Sequence, residues 1–463
     1  MKQEKHLDLN RRDFLRGSSL ATMMMMMGGV PLNAAEENPL VNPDGSTTYT
    51  GQAKPLPVGV IGCGTWGREI ISTLSTITFG PVVAVSDTYP AYLKRGGRLA
   101  PEAKQYADYR ELLADENVKG VIVATPTHLH KQVVLDALAA GKHVYCEAPI
   151  AHTVEDAQAI AAAAHKAVNV NFQPGLQSRS DKQMVNLYNF RIKAGIVGTR
   201  LKARGQFHRK MSWRFSSPNP DREKEINWRL DPALSLGIVG ELGIHQLDLI
   251  NWYFGLNPLA VTGLGALVNW KDGREVPDNV QALLQYEDLL FHNYECTICN
   301  SFNAEMGVVY GTDSAIMMRD RHAWMFKEAD APLLGWEVYS RKDNFYNESG
   351  VVLGAGGTKQ DTHTAKGAAI LDAADPKSPL QYSLEAFLIN SYDHAAGVAD
   401  FTAMFGGDDL DALRDYLVDS QKSRVAAATL LDGYVATITA IKANEAIVKN
   451  GRVEIPENLF KLG

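Results

Sequence analysis

The feature that most constrains the fold is a glycine-rich turn between an apolar run and a helical pattern. Gly62, Gly64 and Gly67 follow the apolar residues 58–61, and residues 68–74 have the pattern of a helix. In a dinucleotide site the first glycine permits the tight turn, the second lets the backbone approach a pyrophosphate, and the third lets the helix pack close to the strand. The helix N-terminus then offers free N–H groups to the phosphates. We therefore predict a dinucleotide-binding loop here.

A carboxylate follows the glycine-rich turn at the sequence spacing that is typical of a dinucleotide-binding unit. A valine-rich run at residues 82–86 ends in Asp87, 20 positions after Gly67. This is close to the spacing of the acid that binds the ribose hydroxyls in this unit. Because a carboxylate accepts from the 2′ and 3′ hydroxyls and repels a 2′-phosphate, we predict NAD as the cofactor in preference to NADP. The alternative is a structural βαβ unit in which Asp87 is a surface residue.

The N-terminus carries an export pattern. Arg11 and Arg12 form a twin-arginine pair, followed by an apolar stretch at residues 20–32 and by Ala34 and Ala35, which suit cleavage. The stretch is short for a membrane span, which needs about 20 apolar residues, and its flanks are those of a cleavable signal. The alternative is a disordered basic tail.

We predict that residues 1–35 are a twin-arginine signal peptide and residues 36–56 a linker. The twin-arginine export machinery is then a partner, and the mature protein is periplasmic or otherwise exported. This route moves folded proteins, so a cofactor can be loaded in the cytoplasm. Because a periplasm supplies little free NAD, we expect the cofactor to be held tightly.

Length and composition favour a two-domain enzyme, since 463 residues exceed what one core usually holds. The 46 basic and 53 acidic residues give a net charge of −7, which argues against a nucleic-acid partner. No later segment is long and apolar enough to span a membrane. The four cysteines are too few for a disulfide framework. We predict that Cys296 and Cys299 are buried thiols rather than a redox pair or a metal half-site, and we predict no metal site.

Two patterns of apolar residues divide the rest of the chain. In residues 57–180 short apolar runs alternate with helical stretches, which predicts a Rossmann domain with a doubly wound parallel sheet. In residues 181–463 strand patterns follow one another, which predicts a substrate-binding α/β domain with a largely antiparallel open sheet. Residues 331–380 are predicted to be a loop excursion, and residues 384–405 and 410–443 to be helical. The predicted strands are residues 58–61, 82–86, 120–124, 143–146, 168–171, 200–207, 260–268, 280–286, 291–298 and 307–310.

Three segments in succession resemble the signatures of the Gfo/Idh/MocA oxidoreductases: residues 121–130, 140–149 and 240–248. The resemblance covers the chain from about residue 57 to its end and is poorest at 331–380. It implies a Rossmann domain, a C-terminal α/β domain, a site between them for a sugar or cyclitol, and a homo-oligomer. Glucose–fructose oxidoreductase, a member of this family, is exported by the twin-arginine route with its cofactor bound, which agrees with the export pattern.

The chain departs from the family at two motifs. The family's Glu-Lys-Pro is Glu147-Ala148-Pro149 here, so the lysine that contacts the reacting hydroxyl is absent. The family's Asp-x-x-x-His is Glu241 and His245. On a helix this spacing places both side chains on one face, where Glu241 can orient His245 and stabilise its protonated form, as a general base requires. The resemblance therefore implies that Glu241 and His245 are catalytic, whereas the residues alone would favour a helix-surface contact.

The remaining candidates lie at strand ends or match family positions. Thr125, Pro126 and His128 follow a strand at the edge where open α/β sheets bind ligands. Arg179 is a candidate replacement for the missing lysine. A solvated charge or a core aromatic is the alternative for each. The predicted cofactor-binding residues are Gly62, Gly64, Thr65, Trp66, Gly67, Asp87, Thr125, Pro126, His128, His130 and Glu147. The predicted substrate-binding residues are Gln177, Arg179, Trp228, Arg229 and His245.

Three functions remain open from the sequence. The first is an NAD-dependent oxidoreductase that acts on a hydroxyl of a sugar, glycoside or cyclitol. The second is an NAD-dependent glycosidase or lyase that oxidises the sugar transiently, eliminates and returns the hydride; the loss of the lysine favours this reading. The third is a non-catalytic carbohydrate-binding protein. Neither the substrate nor the net stoichiometry follows from the sequence.

Overall fold

The computed structural model describes residues 53–319, 321–345, 348–354, 377–420 and 424–461. The predicted signal peptide, most of the predicted linker and residues 355–376 of the predicted loop excursion lie outside these residues. Within them, no helix is both long enough and apolar enough to cross a bilayer.

The N-terminal part of the chain forms a parallel sheet. Its strands are β1 (Val58–Ile61), β2 (Val82–Ser86), β3 (Lys104–Tyr106), β4 (Gly120–Val123), β5 (His143–Cys146) and β6 (Phe172–Pro174). The order is β3-β2-β1-β4-β5-β6. Because β1, β4 and β5 are buried along their whole length, the sheet needs cover on both faces. The helices between the strands are α1 (Thr65–Leu74), α2 (Pro90–Leu99), α3 (Tyr109–Ala114), α4 (His130–Ala139) and α5 (Val154–Lys166).

The second sheet has ten strands. They are β7 (Arg200–His208), β8 (Ala260–Ala266), β9 (Asn279–Gln285), β10 (Phe291–Thr297), β11 (Glu305–Gly311), β12 (Ser314–Arg319), β13 (His322–Lys327), β14 (Lys342–Phe345), β15 (Glu348–Leu353) and β16 (Arg452–Glu454). The order is β14-β15-β13-β12-β11-β7-β10-β9-β8-β16. The pair β7–β10 is parallel, and the other described pairs of this sheet are antiparallel. The predicted fold class is confirmed.

Helices of the C-terminal part pack on both sheets. They are α6 (Lys182–Leu187), α7 (Pro220–Ile226), α8 (Gly237–Glu241), α9 (Ile244–Phe254), α10 (Pro379–Phe405), α11 (Leu410–Ser420) and α12 (Leu430–Lys449). Helix α10 buries Leu384 and Phe387 in the same apolar cluster as Val58 of β1. Helix α12 contacts β8 of the second sheet and α5, one of the helices that cover the parallel sheet. Its packing therefore links the two parts of the chain.

Several predicted elements differ from the structure. Residues 168–171 do not form the last parallel strand, because residues 167–170 make the turn that ends α5 and the strand begins only at Phe172. The predicted excursion at 331–380 contains β14 and β15. The predicted helix at 410–443 is two helices. Cys296 is buried as predicted, but Cys299 is only half-buried, and both are free thiols.

Candidate active site

The glycine turn after β1 forms a cradle that is open at one position. Gly62 has φ +99°, and a Cβ there would lie 2.6 Å from the Ala124 carbonyl oxygen. A Cβ on Gly67 would lie 1.8 Å from the Gly62 carbonyl oxygen, so helix α1 can approach β1 only because Gly67 has no side chain. A Cβ on Gly64 would meet no atom within 4 Å. Two glycines are therefore needed for folding, and the third leaves space for a ligand.

Helix α1 begins at this space without a side-chain cap. Gly64 is its N-cap residue and has no side chain to bond the N–H groups of the first turn, which starts at Thr65 and Trp66. Such N–H groups, with the positive end of the helix dipole, suit a phosphate. The open space over Gly64 and the uncapped helix therefore fit the pyrophosphate of a dinucleotide.

Asp87 lies directly after β2 and is held by the glycine turn. Its Oδ2 accepts a hydrogen bond from the Cys63 backbone N–H at 2.8 Å, and its Oδ1 accepts one from the Tyr89 backbone N–H at 2.7 Å. Burial raises the pKa of Asp87, and these two N–H groups oppose that shift. Because each carboxylate oxygen can accept a second hydrogen bond, Asp87 retains the capacity to bind ribose hydroxyls.

The residues after β4 differ in what they can contact. His130 is buried, and its Nε2 and Nδ1 lie 2.9 Å from the Thr125 carbonyl oxygen and 3.0 Å from the Pro149 carbonyl oxygen, one of which accepts the single N–H of the neutral ring. It therefore joins the ends of β4 and β5, and burial lowers its pKa to about 4. By contrast, the hydroxyl of Thr125 and Nδ1 of His128 are buried and have no hydrogen-bond partner among the described residues. Pro126 precedes the short turn that carries His128.

Glu147 is a buried acid at the end of β5. Burial raises its pKa to about 7, although the Trp66 side chain and the Ala148 backbone N–H favour its charged form. Its Oε1 has no hydrogen-bond partner within the described part of the chain. A Cβ on Gly175 would lie 2.8 Å from its Oε2, so Gly175 lets the next strand pass close to this carboxyl group. Glu147 is thus poised between its neutral and charged forms near neutral pH.

Glu241 has different partners from those that the sequence suggests. Helix α8 ends at Glu241 and α9 begins at Ile244, so Glu241 and His245 do not share one continuous helix. The Glu241 Oε2 accepts a hydrogen bond from the Thr127 hydroxyl at 3.1 Å and lies 3.8 Å from Nε of Arg229. Its side chain is only 3% exposed. Burial raises the pKa of Glu241, and Arg229 and Thr127 oppose the shift.

His245 lies in the first turn of α9 and is half-buried. Burial lowers its pKa, whereas the charges of Glu305 and Asp248 raise it. The carboxylates that act on His245 are therefore these two, and the predicted pairing of His245 with Glu241 across one helical turn is replaced by them. A neutral, half-buried imidazole can accept a proton at neutral pH.

Arg179 is engaged in a buried ion-pair network. It donates two hydrogen bonds to Asp248, at 3.0 Å and 2.8 Å, and its Nη1 lies 2.9 Å from Asp432. Its guanidinium also lies 4.9 Å from the ring centre of Trp252. Because its donors are shared between two carboxylates, Arg179 is not available as the cation that replaces the missing lysine. Gln177 opens the same short turn and is half-buried.

Arg229 is the cation next to Glu241. Its guanidinium stacks on Trp228 at 4.3 Å from the ring centre and lies 5.9 Å from that of Trp213. Its side chain is 38% exposed, whereas Trp228 is buried. The centre of the Trp228 ring also lies 5.6 Å from that of the His128 ring. Arg229 and Trp228, from the C-terminal part of the chain, therefore lie close to the residues that follow β4 in the N-terminal part. A site formed by both parts of the chain requires such proximity.

Comparison with known proteins agrees with this arrangement. The model of the oxidoreductase family with an NAD-binding Rossmann fold matches residues 56–175, and the model of the GFO/IDH/MocA C-terminal domain matches residues 191–317. The chain belongs to the Gfo/Idh/MocA oxidoreductase family. Its two matched segments contain the glycine cradle and the Glu241–Arg229 pair.

Two relatives and one solved structure are similar to this chain. Inositol 2-dehydrogenase of Salmonella typhimurium (strain LT2) is 31% identical over 199 residues, which are 42% of this chain and 54% of that enzyme. The chain thus spans about half the length of this relative. An α-N-acetylgalactosaminidase of Shewanella oneidensis is 24% identical over 311 residues, 60% of this chain and 64% of that protein. Levoglucosan dehydrogenase in complex with NADH and levoglucosan has the same fold, with a TM-score of 0.62 and 18% identity over 87% of this chain and 100% of that one.

Proposed function

We propose that this protein is an NAD-dependent oxidoreductase that acts on a hydroxyl of a sugar, glycoside or cyclitol. The observation that carries the proposal is the contact between Thr127 and Glu241 at 3.1 Å. It places Glu241 and its partner Arg229 beside the residue that follows β4, at the carboxyl edge of a parallel sheet, where open α/β sheets bind their ligands. The open glycine cradle lies at the same edge, after β1.

In this proposal His245 takes the proton of the substrate hydroxyl. Burial keeps its imidazole neutral, and the carboxylates of Asp248 and Glu305 stabilise the imidazolium that forms. A dinucleotide held by the glycine cradle and Asp87 would supply the hydride acceptor for the carbon that carries this hydroxyl, so the alcohol would become a ketone while its proton stays on His245. The redox balance is therefore complete with one dinucleotide.

Arg229 is proposed to supply the positive charge that the family lysine provides elsewhere. It is partly exposed, it lies against Glu241, and its guanidinium is held in place by stacking on Trp228. A cation near the reacting oxygen favours the alkoxide. Glu241 would then accept a hydrogen bond from a neighbouring substrate hydroxyl.

A second function has specific support. Ala148 stands where the family has lysine, and the match to the α-N-acetylgalactosaminidase covers more of the chain than the match to inositol 2-dehydrogenase. We therefore keep an NAD-dependent glycosidase or lyase, with transient oxidation and no net redox change, as the alternative. A non-catalytic carbohydrate-binding protein would need neither the glycine cradle nor a neutral, half-buried imidazole.

One experiment separates these functions. Purified protein, without added cofactor, is incubated with a panel of free sugars, cyclitols and aryl glycosides while reduced-nicotinamide absorbance and aglycone release are recorded. An oxidoreductase gives absorbance without release, a glycosidase gives release without lasting absorbance, and a binding protein gives neither. An Arg229→Gln variant should lose activity in either enzyme, with Arg214→Gln as the control on the same segment. Full activity of Arg229→Gln would refute its proposed role.

The cellular context also remains a proposal. We propose export by the twin-arginine route with NAD, rather than NADP, already bound. Replacing Arg11 and Arg12 by lysine should leave uncleaved protein in the cytoplasm, and unchanged export would contradict this. Mass spectrometry of acid-extracted nucleotide tests the cofactor, and light scattering of the purified protein tests the predicted homo-oligomer.

A further inference from the structure

Arg222 lies far along the chain from the glycine cradle but reaches it in space. It belongs to α7, in the segment between β7 and α8. Its guanidinium lies 4.2 Å from the ring centre of Tyr89 and 5.1 Å from that of Tyr92. These tyrosines stand at the start of α2, immediately after Asp87, and contact each other edge to face at 5.1 Å. The second part of the chain thus covers the end of the cradle at which Asp87 lies.

A second arginine approaches the same place from α1. The guanidinium of Arg68 lies 5.5 Å from the ring centre of Tyr92, and its Nη1 donates to the Cys63 carbonyl oxygen at 2.8 Å. The charges of Arg222 and Arg68 both reach Asp87 and lower its pKa against the effect of burial. Asp87 is therefore flanked by cations that come from two different parts of the chain.

The hydrogen bonds of Arg222 are incomplete. Its Nη1 donates to Glu225 Oε2 at 2.9 Å, but its Nε is buried and has no partner among the residues that the structure describes. The side chain is only 15% exposed. A buried guanidinium N–H without an acceptor is unfavourable, and an oxygen atom brought by a ligand would satisfy it.

We propose that Arg222 is a cofactor-binding residue that holds the adenosine ribose of the dinucleotide between itself and Asp87. This inference rests on the proposed function, because it assumes that the cradle binds a dinucleotide. It adds a contact from outside the parallel sheet. Release of the cofactor then requires α7 to separate from Tyr89 and Tyr92, which explains how a dinucleotide can be retained without an excess in solution.

The test measures binding rather than turnover. Nucleotide-free protein is titrated calorimetrically with NADH, with ADP-ribose, which contains the adenosine half, and with nicotinamide mononucleotide, which lacks it. Arg222→Ala and Arg222→Gln should weaken NADH and ADP-ribose binding by about 10- to 100-fold, the range for a hydrogen bond to a charged group. Binding of nicotinamide mononucleotide should not change. The control is Lys224→Ala, since Lys224 is exposed on the same helix.

The outcomes distinguish this inference from the proposed function. If the unaltered protein binds neither NADH nor ADP-ribose, the proposed function fails and this inference fails with it. If the unaltered protein binds both, and folded Arg222 variants bind ADP-ribose as tightly as the Lys224→Ala control, only the role of Arg222 is overturned. A stopped-flow measurement of NADH release provides a second readout, in which the Arg222 variants should release NADH faster by a similar factor.

Discussion

The buried carboxyl group of Glu147 leads to a prediction about stability and pH. Its pKa is raised from an ordinary value of 4.5 to about 7, and burial is the main cause. A raised pKa means that the folded protein favours the neutral acid. The stabilising contribution of the neutral form is fully present below about pH 4.5, and it is lost as the pH rises through about 7. Glu147→Gln keeps the size of the side chain and removes the titration.

The magnitude follows from the pKa difference. A shift of about 2.5 units corresponds to about 3 kcal/mol, because each unit is worth 1.36 kcal/mol. Between about pH 4.5 and about pH 8.5, the free energy of unfolding of Glu147→Gln should therefore rise by about 3 kcal/mol relative to that of the unaltered protein. Only the change of this difference with pH is compared, because the glutamine amide adds buried N–H donors that alter the free energy of unfolding at every pH.

Urea unfolding of nucleotide-free protein at a series of pH values measures this difference. The matched control is Glu102→Gln, since Glu102 is exposed. The two variants should diverge between about pH 4.5 and about pH 7 and run parallel at higher pH. If the stability of Glu147→Gln runs parallel to that of the unaltered protein over the whole pH range, Glu147 is not a neutral acid in the folded state and the reasoning from burial is refuted.

Four further predictions concern the cradle, the ion-pair network, the base and the position of the missing lysine. Gly64→Ala should fold normally but bind NADH about tenfold or more weakly, equivalent to about 1.4 kcal/mol. Gly67→Ala should lose more than about 1 kcal/mol of stability, because its Cβ meets backbone atoms. If the two variants have the same melting temperature and the same affinity for NADH, this distinction between the glycines is wrong. Arg179→Ala should cost about 3–5 kcal/mol of stability, since it leaves buried Asp248 without its partner, and a loss confined to KM would instead make it a substrate contact. His245→Ala should lower turnover by about 10² to 10⁴ with NADH affinity unchanged. Ala148→Lys should suppress aglycone release if the pocket serves elimination, and it should be tolerated by an ordinary dehydrogenase.

The parallel sheet was predictable from the sequence because local signals coincide there. The Gly62–Gly67 turn, the burial of β1 and β2 and the position of Asp87 all depend on residues close together in the chain. The exceptions are β3, which was not predicted, and β6, where Val168 suggests a strand although the backbone there closes the turn after α5. Strands β12 and β13, residues 314–319 and 322–327, were not predicted, because these strands take their register from neighbours in the sheet.

The site was less predictable because its decisive contacts are long-range. Thr127 and Glu241 are separated by 114 positions, and Arg179 and Asp248 by 69. No local pattern shows that Arg179 is bound by carboxylates while Arg229 is partly exposed. Arg222 likewise looks like an ordinary charge on a short helix, and only the fold brings it over Tyr89.

The roles of Glu241 and Glu305 can be separated by pH, and this tests the site most directly. The charge of Glu305 raises the pKa of His245, whereas Glu241 interacts with Arg229 and Thr127. Glu305→Gln should therefore lower the pKa of His245 and move the acidic limb of the pH–rate profile to lower pH. Glu241→Gln should leave that limb in place and reduce the rate at all pH values, because it releases Arg229 from its partner. If Glu241→Gln moves the limb as Glu305→Gln does, Glu241 acts on His245 after all, and the division of roles inferred from the structure is wrong.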